Sequence, residues 1–362
     1  MSNKDKLDPA DYCVDQFSSI RDTIALMDKS RIGIALVVDE QRRLIGTVTD
    51  GDVRRGILAN INLDESVTRL LERKSGSPYA IPTTAPVGAD PTICLELLKQ
   101  HSILHLPLLD EEKRVAGLVT LDEFVPPSNL ALQAVIMAGG RGSRMNPLTE
   151  VLPKPMLPVG DQPLMEIIIH QLRDAGIRRV NVTTHHKSEK ITEHFGDGSD
   201  FGVELNYVNE DRPLGTAGGL GLMDPPQETL LVINGDILSQ VDFRAMLAFH
   251  REQRGDLTVA VRQYDIRVPF GVVECEGASV QRLTEKPVLN FFVNAGIYLL
   301  EPVVYQYIPN GKSFDMTDLI ERLLEERRRV VSFPVREYWL DIGLPEDYLR
   351  AQKDVAKWTG SR

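Results

Sequence analysis

Short apolar runs alternate with polar turns along the first third of the chain, and they do so in two near-copies. Each copy has an apolar run of strand length, a polar turn, a second run, and then a cluster of Thr and acidic residues. A constant offset between copies marks a repeated structural unit. We therefore predict two strands in each copy, a helix before them, and a helix that starts at the Thr/acid cluster. The landmarks that lie 71 residues apart are Asp39 and Asp110, Gly46 and Gly117, and Thr49 and Thr120.

The pattern changes at residues 125–129, where Val-Pro-Pro-Ser-Asn interrupts the periodic segments. Prolines followed by small polar residues are typical of a break between elements. We place a domain boundary here, with a first domain over residues 1–127 and a second over 128–362. In the second domain an apolar strand runs into a glycine-rich loop, and a later apolar run leads into Asp236. Continuous apolar runs of this kind predict buried parallel strands and an α/β fold.

Composition excludes several classes of protein. The 362 residues carry 41 Lys and Arg against 52 Asp and Glu, a net charge of −11, which argues against a general nucleic-acid binder. Three separated cysteines, Cys13, Cys94 and Cys275, support neither a disulfide framework nor a paired-cysteine zinc site. The first residues lack the apolar stretch of a secretory signal, and no run approaches the ~20 apolar residues of a membrane helix. We therefore expect a cytoplasmic protein with no membrane partner.

The glycine-rich loop is the first candidate for chemistry. It comprises Ala138, Gly139, Gly140 and Gly142, directly after an apolar strand. Glycines in this context let backbone N–H groups approach a phosphate closely. No third glycine completes a dinucleotide fingerprint, and no Gly-Lys-Ser/Thr completes a P-loop. The loop alone therefore predicts a nucleotide site of another kind.

Two cations follow this loop. Arg144 offers a bidentate fork for a di- or triphosphate, and Lys154 stands between two prolines that fix its backbone. The whole run, with Gly-Gly-x-Gly-x-Arg, Pro-Leu-Thr and Pro-Lys-Pro-Met-Leu-Pro, resembles the signature of sugar-1-phosphate nucleotidyltransferases. The resemblance covers residues 132–355 and implies a Rossmann-like mixed sheet of the GT-A-like type.

Further matches follow in the family's order. The resemblance implies that the loop with Glu210, Gly215 and Thr216 binds the nucleotide, and that Asp236 and Asp341 bind Mg²⁺. Carboxylate oxygens are hard ligands that suit this ion. The remaining implied roles are sugar binding by Gly271, Glu285 and Asn294, and catalytic cations at Arg144, Lys154 and Lys286, the last on the sugar phosphate.

The resembling family joins a nucleoside triphosphate to a sugar-1-phosphate and releases pyrophosphate. The nucleophile is already ionised, so the protein must align two anions and neutralise them. Glu210 stands five residues before Gly215, and because a carboxylate only accepts hydrogen bonds, it suits the adjacent N1 and N2 donors of guanine. We expect GMP transfer from GTP to glucosamine-1-phosphate or mannose-1-phosphate, for surface-polysaccharide or nonulosonic acid biosynthesis. A UTP- or CTP-using enzyme and a non-catalytic nucleotide-sugar sensor are the alternatives.

The repeated first domain resembles a tandem pair of CBS domains, an α+β module, over residues 10–127. The signature is Gly46-Thr-Val-Thr49-Asp-Gly-Asp52, and the resemblance implies that Asp52 binds a nucleotide ribose and Thr49 its phosphate. The second copy ends in Glu123 where the family usually has Asp, so the predicted regulatory site rests on the first copy. Two interpretations stay open: a nucleotide regulates the second domain, or the pair serves folding and dimerisation alone. We expect a homo-oligomer formed through this pair.

Overall fold

The structure, a computed structural model, describes residues 8–124, 130 and 132–359. The chain divides into two compact units, residues 1–128 and 129–362. The stretch 125–129, where we place the domain boundary, lies outside the described residues. In the part of the chain that is described, no helix is long and apolar enough to cross a membrane.

The first unit contains two copies of a strand–helix arrangement. Its described strands form two three-stranded sheets, and in each sheet the first pair is parallel and the second antiparallel. In chain order the elements are β1 (Cys13–Asp15), α1 (Ile20–Ser30), β2 (Ile34–Val38), β3 (Leu44–Thr49), α2 (Asp50–Leu58), α3 (Thr68–Arg73), β4 (Ala85–Pro86), α4 (Pro91–Gln100), β5 (His105–Leu109) and β6 (Val115–Thr120).

The hairpins β2–β3 and β5–β6 turn in the same way because each begins with an aspartate that binds an arginine four residues later. Asp39 accepts hydrogen bonds from the backbone N–H of Arg43 at 2.8 Å and from its Nε at 2.7 Å. Asp110 accepts the same two bonds from Arg114, both at 2.8 Å. The constant sequence offset therefore corresponds to a repeated turn.

The prediction of a helix after the second copy is wrong about its length. It is a 3₁₀ turn, Leu121–Glu123, whereas α2 in the first copy continues for nine residues. Both begin with the same cap, since Thr49 pairs with Asp52 and Thr120 with Glu123. Two prolines follow at positions 126 and 127, and they lack the N–H groups that a continuing helix needs.

The second unit is an α/β domain. Its strands and α-helices are β7 (Gln133–Met137), β8 (Pro158–Val159), β9 (Gln162–Pro163), α5 (Leu164–Ala175), β10 (Arg179–Thr184), α6 (Ser188–Phe195), β11 (Glu204–Asn209), α7 (Gly215–Gly218), β12 (Leu230–Asn234), β13 (Ile237–Ser239), α8 (Phe243–Gln253), β14 (Leu257–Arg267), β15 (Val272–Glu276), β16 (Ser279–Thr284), β17 (Val288–Leu300), α9 (Met316–Glu325), β18 (Val330–Pro334), β19 (Trp339–Asp341) and α10 (Pro345–Thr359).

Seven strands of the described residues form one mixed sheet in the order β11-β10-β7-β12-β17-β14-β18. The first four are parallel, β17 is antiparallel to its neighbours, and β18 is parallel to β14. The mixed α/β prediction is confirmed. Within the sheet β7 pairs with β12 so that Met137 lies opposite Asn234. The glycine-rich loop after β7 and the acidic turn after β12 therefore leave the sheet at the same edge, where open α/β sheets bind ligands.

Candidate active site

The two predicted metal carboxylates, Asp236 and Asp341, are brought together by a short ribbon. Strand β13 pairs with β19 so that Ile237 lies opposite Asp341. The backbone N–H of Ile342 donates to the Asp236 carbonyl at 3.0 Å. Asp341 is exposed, but partial loss of solvent around its carboxyl and the neighbouring negative charge of Asp236 raise its pKa. The two acids are therefore close enough to repel each other.

One of the predicted catalytic cations, Lys154, bonds to this carboxylate pair, and the charge of Arg144 also acts on it. Lys154 is buried, and its Nζ forms an ion pair of 2.5 Å with Asp236 Oδ2. The positive charges of Lys154 and Arg144 lower the pKa of Asp341, opposing the partial loss of solvent and the charge of Asp236. Lys154 begins a 3₁₀ turn whose second residue is Pro155, as the two flanking prolines predict. Positive charges thus meet a pair of negative ones at the edge of the sheet.

The donor set at this edge fits Mg²⁺. Two adjacent carboxylates provide hard oxygen ligands, and the negative charge of Asp236 acts on Asp341. Among the described residues, no group of three or more His, Cys, Asp or Glu is arranged to hold a metal. The protein would supply the two carboxylates, and phosphate oxygens and waters would complete the shell, as is usual for this ion.

The glycine-rich loop is anchored at one end and open in its middle. The Ala138 N–H donates to the Thr183 carbonyl of β10 at 2.9 Å, which ties the loop to the sheet. A Cβ added at Gly140 would meet no atom within 4 Å, so its backbone has room for a ligand. Gly142 has φ +63°, a conformation that favours glycine, and its carbonyl accepts the Thr149 hydroxyl at 2.9 Å.

Glu210 lies beneath this loop, and one of its oxygens is already bonded. It is only 4% exposed, and Oε2 accepts the backbone N–H of Leu214 at 3.0 Å. Burial raises the pKa of its carboxyl. A Cβ at Gly139 or Gly219 would lie 3.1 or 2.8 Å from Oε1, so both glycines make room for this carboxylate. Because each carboxylate oxygen can accept more than one hydrogen bond, the pairing of Glu210 with guanine stays a prediction.

The predicted sugar residues form a second group. A Cβ at Gly271 would lie 2.9 Å from Glu285 Oε2, and the Lys286 N–H donates to the Phe270 carbonyl at 3.2 Å. These residues lie on the exposed strands and turns around β15 and β16. Within the described residues, no hydrogen bond or ion pair links them directly to Asp236 or Lys154, and their role in sugar binding stays a prediction.

Asn294, also predicted to bind the sugar, is bonded within its own strand. Its Nδ2 donates to the Tyr298 hydroxyl at 2.8 Å, and its Oδ1 accepts the Gly296 N–H at 3.0 Å. Burial raises the pKa of Tyr298 to about 12, and the charge of Asp236 contributes. A Cβ at Gly296 would also lie 3.2 Å from Ile237 Cγ1, so the turn that Asn294 bonds lies next to the residue after Asp236.

In the first unit, the predicted ribose carboxylate is enclosed by its own chain. Asp52 is 5% exposed, and its Oδ2 accepts bonds from the Thr49 N–H at 2.9 Å and from Lys74 Nζ at 3.0 Å. Its Oδ1 accepts from Arg55 Nη2 at 2.6 Å. Burial opposes ionisation, but the Lys74 ammonium and these hydrogen bonds hold the pKa of Asp52 below its usual value. Thr49 and Asp52 form the cap of α2, and their binding of a nucleotide stays a prediction.

Sequence reasoning missed two residues, Lys74 and Asp315. Lys74 lies outside both repeats, so no spacing identifies it as the partner of Asp52. Asp315 accepts the backbone N–H of Thr216 at 2.9 Å, within the predicted nucleotide loop, which we define as residues 210–221. A signal was present here, because Asp315 followed by Asp318 three residues later reads as the start of a helix. That signal indicates a cap and does not indicate contact with a loop far away in the sequence.

The chain belongs to the nucleotidyl transferase family, whose family model matches residues 133–357. Residues 8–59 and 81–125 match CBS domains. A mannose-1-phosphate guanylyltransferase of Mycobacterium tuberculosis is 35% identical over 235 residues, covering 62% of this chain and 65% of that protein. A UTP–glucose-1-phosphate uridylyltransferase of Synechocystis is 31% identical, covering 62% of this chain and 63% of its own length. The chain thus spans under two thirds of these two relatives.

Two further comparisons cover nearly the whole of the related chain. A D-glycero-α-D-manno-heptose 1-phosphate guanylyltransferase of Aneurinibacillus thermoaerophilus is 31% identical, covering 62% of this chain and 98% of that protein. A crystal structure from Bacillus anthracis, described as a glucose-1-phosphate thymidylyltransferase in complex with a sucrose, has a TM-score of 0.51 at 27% identity. It covers 62% of this chain and 94% of its own. These relatives are sugar-1-phosphate nucleotidyltransferases by name.

Proposed function

We propose that this protein transfers GMP from GTP to a hexose-1-phosphate and releases pyrophosphate. The observation that carries the proposal is the cluster in which Lys154 Nζ lies 2.5 Å from Asp236, beside Asp341 and next to the glycine-rich loop. Such a cluster suits a reaction between two polyanions. The relatives share this reaction class by name, although their bases and sugars differ.

In the proposed reaction a phosphate oxygen of the sugar-1-phosphate attacks the α-phosphorus of GTP. A new P–O bond forms, the bond from the α-phosphorus to the bridging oxygen of the β-phosphate breaks, and pyrophosphate leaves with the electron pair. Arg144 and Lys154 would bind and orient the triphosphate, and Lys286 the sugar phosphate. No proton transfer is required, because the nucleophile arrives ionised.

Mg²⁺ belongs to this proposal. Asp236 and Asp341 would hold it, and when bound it would neutralise phosphate charge at the reacting α-phosphorus. Lys154 keeps Asp236 in place through its ion pair and offsets part of the negative charge of the carboxylate pair.

The base is proposed to be guanine and the sugar mannose or glucosamine. Two of the relatives named above are guanylyltransferases, and Glu210 Oε1 offers one acceptor at the loop. The uridylyltransferase relative keeps UTP as the second candidate. The product would be a nucleotide sugar for surface-polysaccharide or nonulosonic acid biosynthesis.

The first unit is proposed to assemble the protein into a homo-oligomer and to respond to a nucleotide. A ligand at Thr49 and Asp52 must first displace Lys74 from the carboxylate. Titrating adenine and guanine nucleotides against the wild type and Asp52→Ala tests this regulation. Identical activity responses would leave the unit as structure alone, and a monomer by light scattering would contradict the assembly.

A pyrophosphate-release assay tests the reaction. Wild-type protein with Mg²⁺ is offered GTP, UTP, CTP, dTTP and ATP against mannose-, glucosamine- and glucose-1-phosphate. We expect turnover, highest with GTP. Turnover highest with UTP or CTP would refute the guanine assignment, and no turnover with any pair would refute the enzyme.

A further inference from the structure

The nucleotide loop is packed along one face by the segment that enters α9. We define this clamp segment as residues 308–316. Gly215, Gly218 and Gly221 recur every three residues on the loop, and each faces the clamp segment with no room for a side chain. An added Cβ at Gly215 would lie 2.5 Å from Asp315 Oδ1. At Gly218 it would lie 2.6 Å from the Lys312 carbonyl oxygen, and at Gly221 it would lie 2.9 Å from the Pro309 carbonyl oxygen.

Backbone hydrogen bonds join the same two segments. The Phe314 N–H donates to the Leu214 carbonyl at 2.8 Å. The Phe314 carbonyl accepts the N–H groups of Ala217 at 3.0 Å and of Gly218 at 2.8 Å. The loop glycines are therefore required, at least in part, by close packing against the protein itself and not only by the approach of a ligand.

Asp315 accepts two hydrogen bonds from Thr216 at the centre of this contact. Asp315 Oδ1 accepts the Thr216 N–H at 2.9 Å and the Thr216 hydroxyl at 3.3 Å. The Thr216 oxygen in turn accepts the Met316 N–H at 2.8 Å. The Asp315 N–H donates to Asp318 Oδ2 at 2.8 Å, which completes the cap of α9. Asp315 thus fixes the start of a helix and the nucleotide loop at once.

The bonds between Asp315 and Thr216 hold a turn whose backbone conformation depends on Gly215. Its φ is +80°, in the left-handed region, directly before Thr216. A turn in this region is easily lost when the bonds that hold it are removed, because glycine adopts many other conformations at little cost. Asp315 supplies bonds to the residue that follows this turn.

We propose that Asp315 is a positioning residue that holds the turn at Gly215 and Thr216 in the conformation that binds the nucleoside triphosphate. The inference rests on the proposed function for its substrate. Asp315 acts through Thr216, and the segment that carries it connects the nucleotide loop to α9.

Three variants test the inference. Asp315→Ala removes the acceptor, and Asp315→Asn retains an oxygen that can accept both Thr216 bonds. Asp318→Ala is the matched control, because it removes the other half of the α9 cap and leaves the Thr216 bonds intact. We measure KM for the preferred triphosphate, kcat, and the Kd of that triphosphate by calorimetry, with melting temperature as the measure of folding.

Loss of two hydrogen bonds to the loop should raise KM and Kd about tenfold in Asp315→Ala, with kcat changed less than about twofold. Asp315→Asn should stay within about threefold of the wild type, and Asp318→Ala should lower the melting temperature without moving KM. Unchanged KM and Kd in a folded Asp315→Ala, or equal rises in Asp315→Ala and Asp318→Ala, would overturn the inference.

The two proposals fail separately. Turnover by the wild type with no effect of Asp315→Ala would leave the function standing and remove the positioning role. Weakened triphosphate binding in Asp315→Ala without turnover in any wild-type pair would keep the positioning role and remove the proposed reaction. A wild type that binds no triphosphate in calorimetry would overturn both.

Discussion

Each unit of the protein pairs a buried lysine with an aspartate, and the surroundings of the two carboxylates differ. In the first unit Lys74 lies 3.0 Å from Asp52, with side chains 9% and 5% exposed. In the second, Lys154 lies 2.5 Å from Asp236, with side chains 10% and 27% exposed. One aspartate is enclosed, and the other is partly open.

The difference lies in what else bonds to the carboxylate. Asp52 also accepts bonds from Thr49 and Arg55, and its pKa is lowered. Asp236 has a second carboxylate, Asp341, beside it, and the pKa of that neighbour is raised. A buried carboxylate with several hydrogen-bond donors around it stabilises the fold. Two carboxylates that lie side by side and repel each other are suited to bind a cation.

The largest expected effect is on catalysis. Asp236→Asn should lower kcat/KM about 10³-fold, because a preorganised charge at the reacting phosphates is lost. The melting temperature should fall modestly, because the buried Lys154 loses a charged partner while the Asn side chain keeps an oxygen that can accept its hydrogen bond. Asp242→Asn is the control, because Asn also caps a helix well and the Asp242 carboxylate accepts the backbone N–H groups of Arg244 and Ala245 at the start of α8. Near-wild-type pyrophosphate release by Asp236→Asn would contradict a catalytic role for the carboxylate pair of Asp236 and Asp341.

The next effect is on the stability of the first unit. Lys74→Met should destabilise that unit by about 3 kcal/mol, because the buried charge of Asp52 loses a principal partner. Hydrogen exchange of the amides in β2 and β3 measures this locally. Lys99→Met, at an exposed position in the last turn of α4, should leave exchange unchanged. If the amides of β2 and β3 exchange as slowly in Lys74→Met as in the wild type, the stabilising role of the Lys74–Asp52 pair is contradicted.

Asp52 itself should give a smaller, pH-dependent effect. Asp52→Asn should cost the first unit about 2 kcal/mol at pH 7, the loss of charge-assisted hydrogen bonds. Because the folded pKa lies below the unfolded value of about 3.9, this contribution is complete above that value and disappears as pH falls through the folded pKa. Urea unfolding followed by circular dichroism should show a constant gap between variant and wild type at pH 5–8 that narrows below about pH 4. A gap that narrows between pH 8 and 5 would disagree with the lowered pKa.

The smallest expected effect is an increase in stability, in contrast to the losses expected for Lys74→Met and Asp52→Asn. Asp341 has a raised folded pKa, so its ionised form opposes folding at neutral pH, and this cost is relieved as pH falls. Asp341→Asn should stabilise the metal-free second unit by up to about 1 kcal/mol, a value limited by solvent screening. Both tryptophans, Trp339 and Trp358, lie in this unit, so their emission reports its unfolding alone. A destabilised Asp341→Asn would mean that the aspartate is structural, as Asp52 is.

The parts of the fold that depend on local sequence patterns could be predicted from the sequence. The offset between Asp39 and Asp110 identified the repeat because each aspartate builds its own hairpin with a nearby arginine. The apolar run before Asp236 identified a buried strand because such runs fit a sheet covered on both faces.

The sequence was insufficient where long-range packing decides which atoms are free. Asp52 fits a ribose-binding motif, but Lys74 comes from outside the repeat and occupies its carboxylate. Glu210 has the right spacing, but burial and the Leu214 N–H set its geometry. Asp315 reads as a helix cap, and only the fold reveals its bonds to Thr216.

A Mg²⁺ titration of pyrophosphate release tests the account most directly. The wild type and Asp341→Asn are compared at saturating triphosphate and sugar-1-phosphate. If Asp236 and Asp341 hold the ion, the wild type should show a saturable dependence on Mg²⁺, and the variant should require at least about tenfold more ion for half-maximal rate. Superimposable titration curves would contradict the claim that the open carboxylate pair binds the cation.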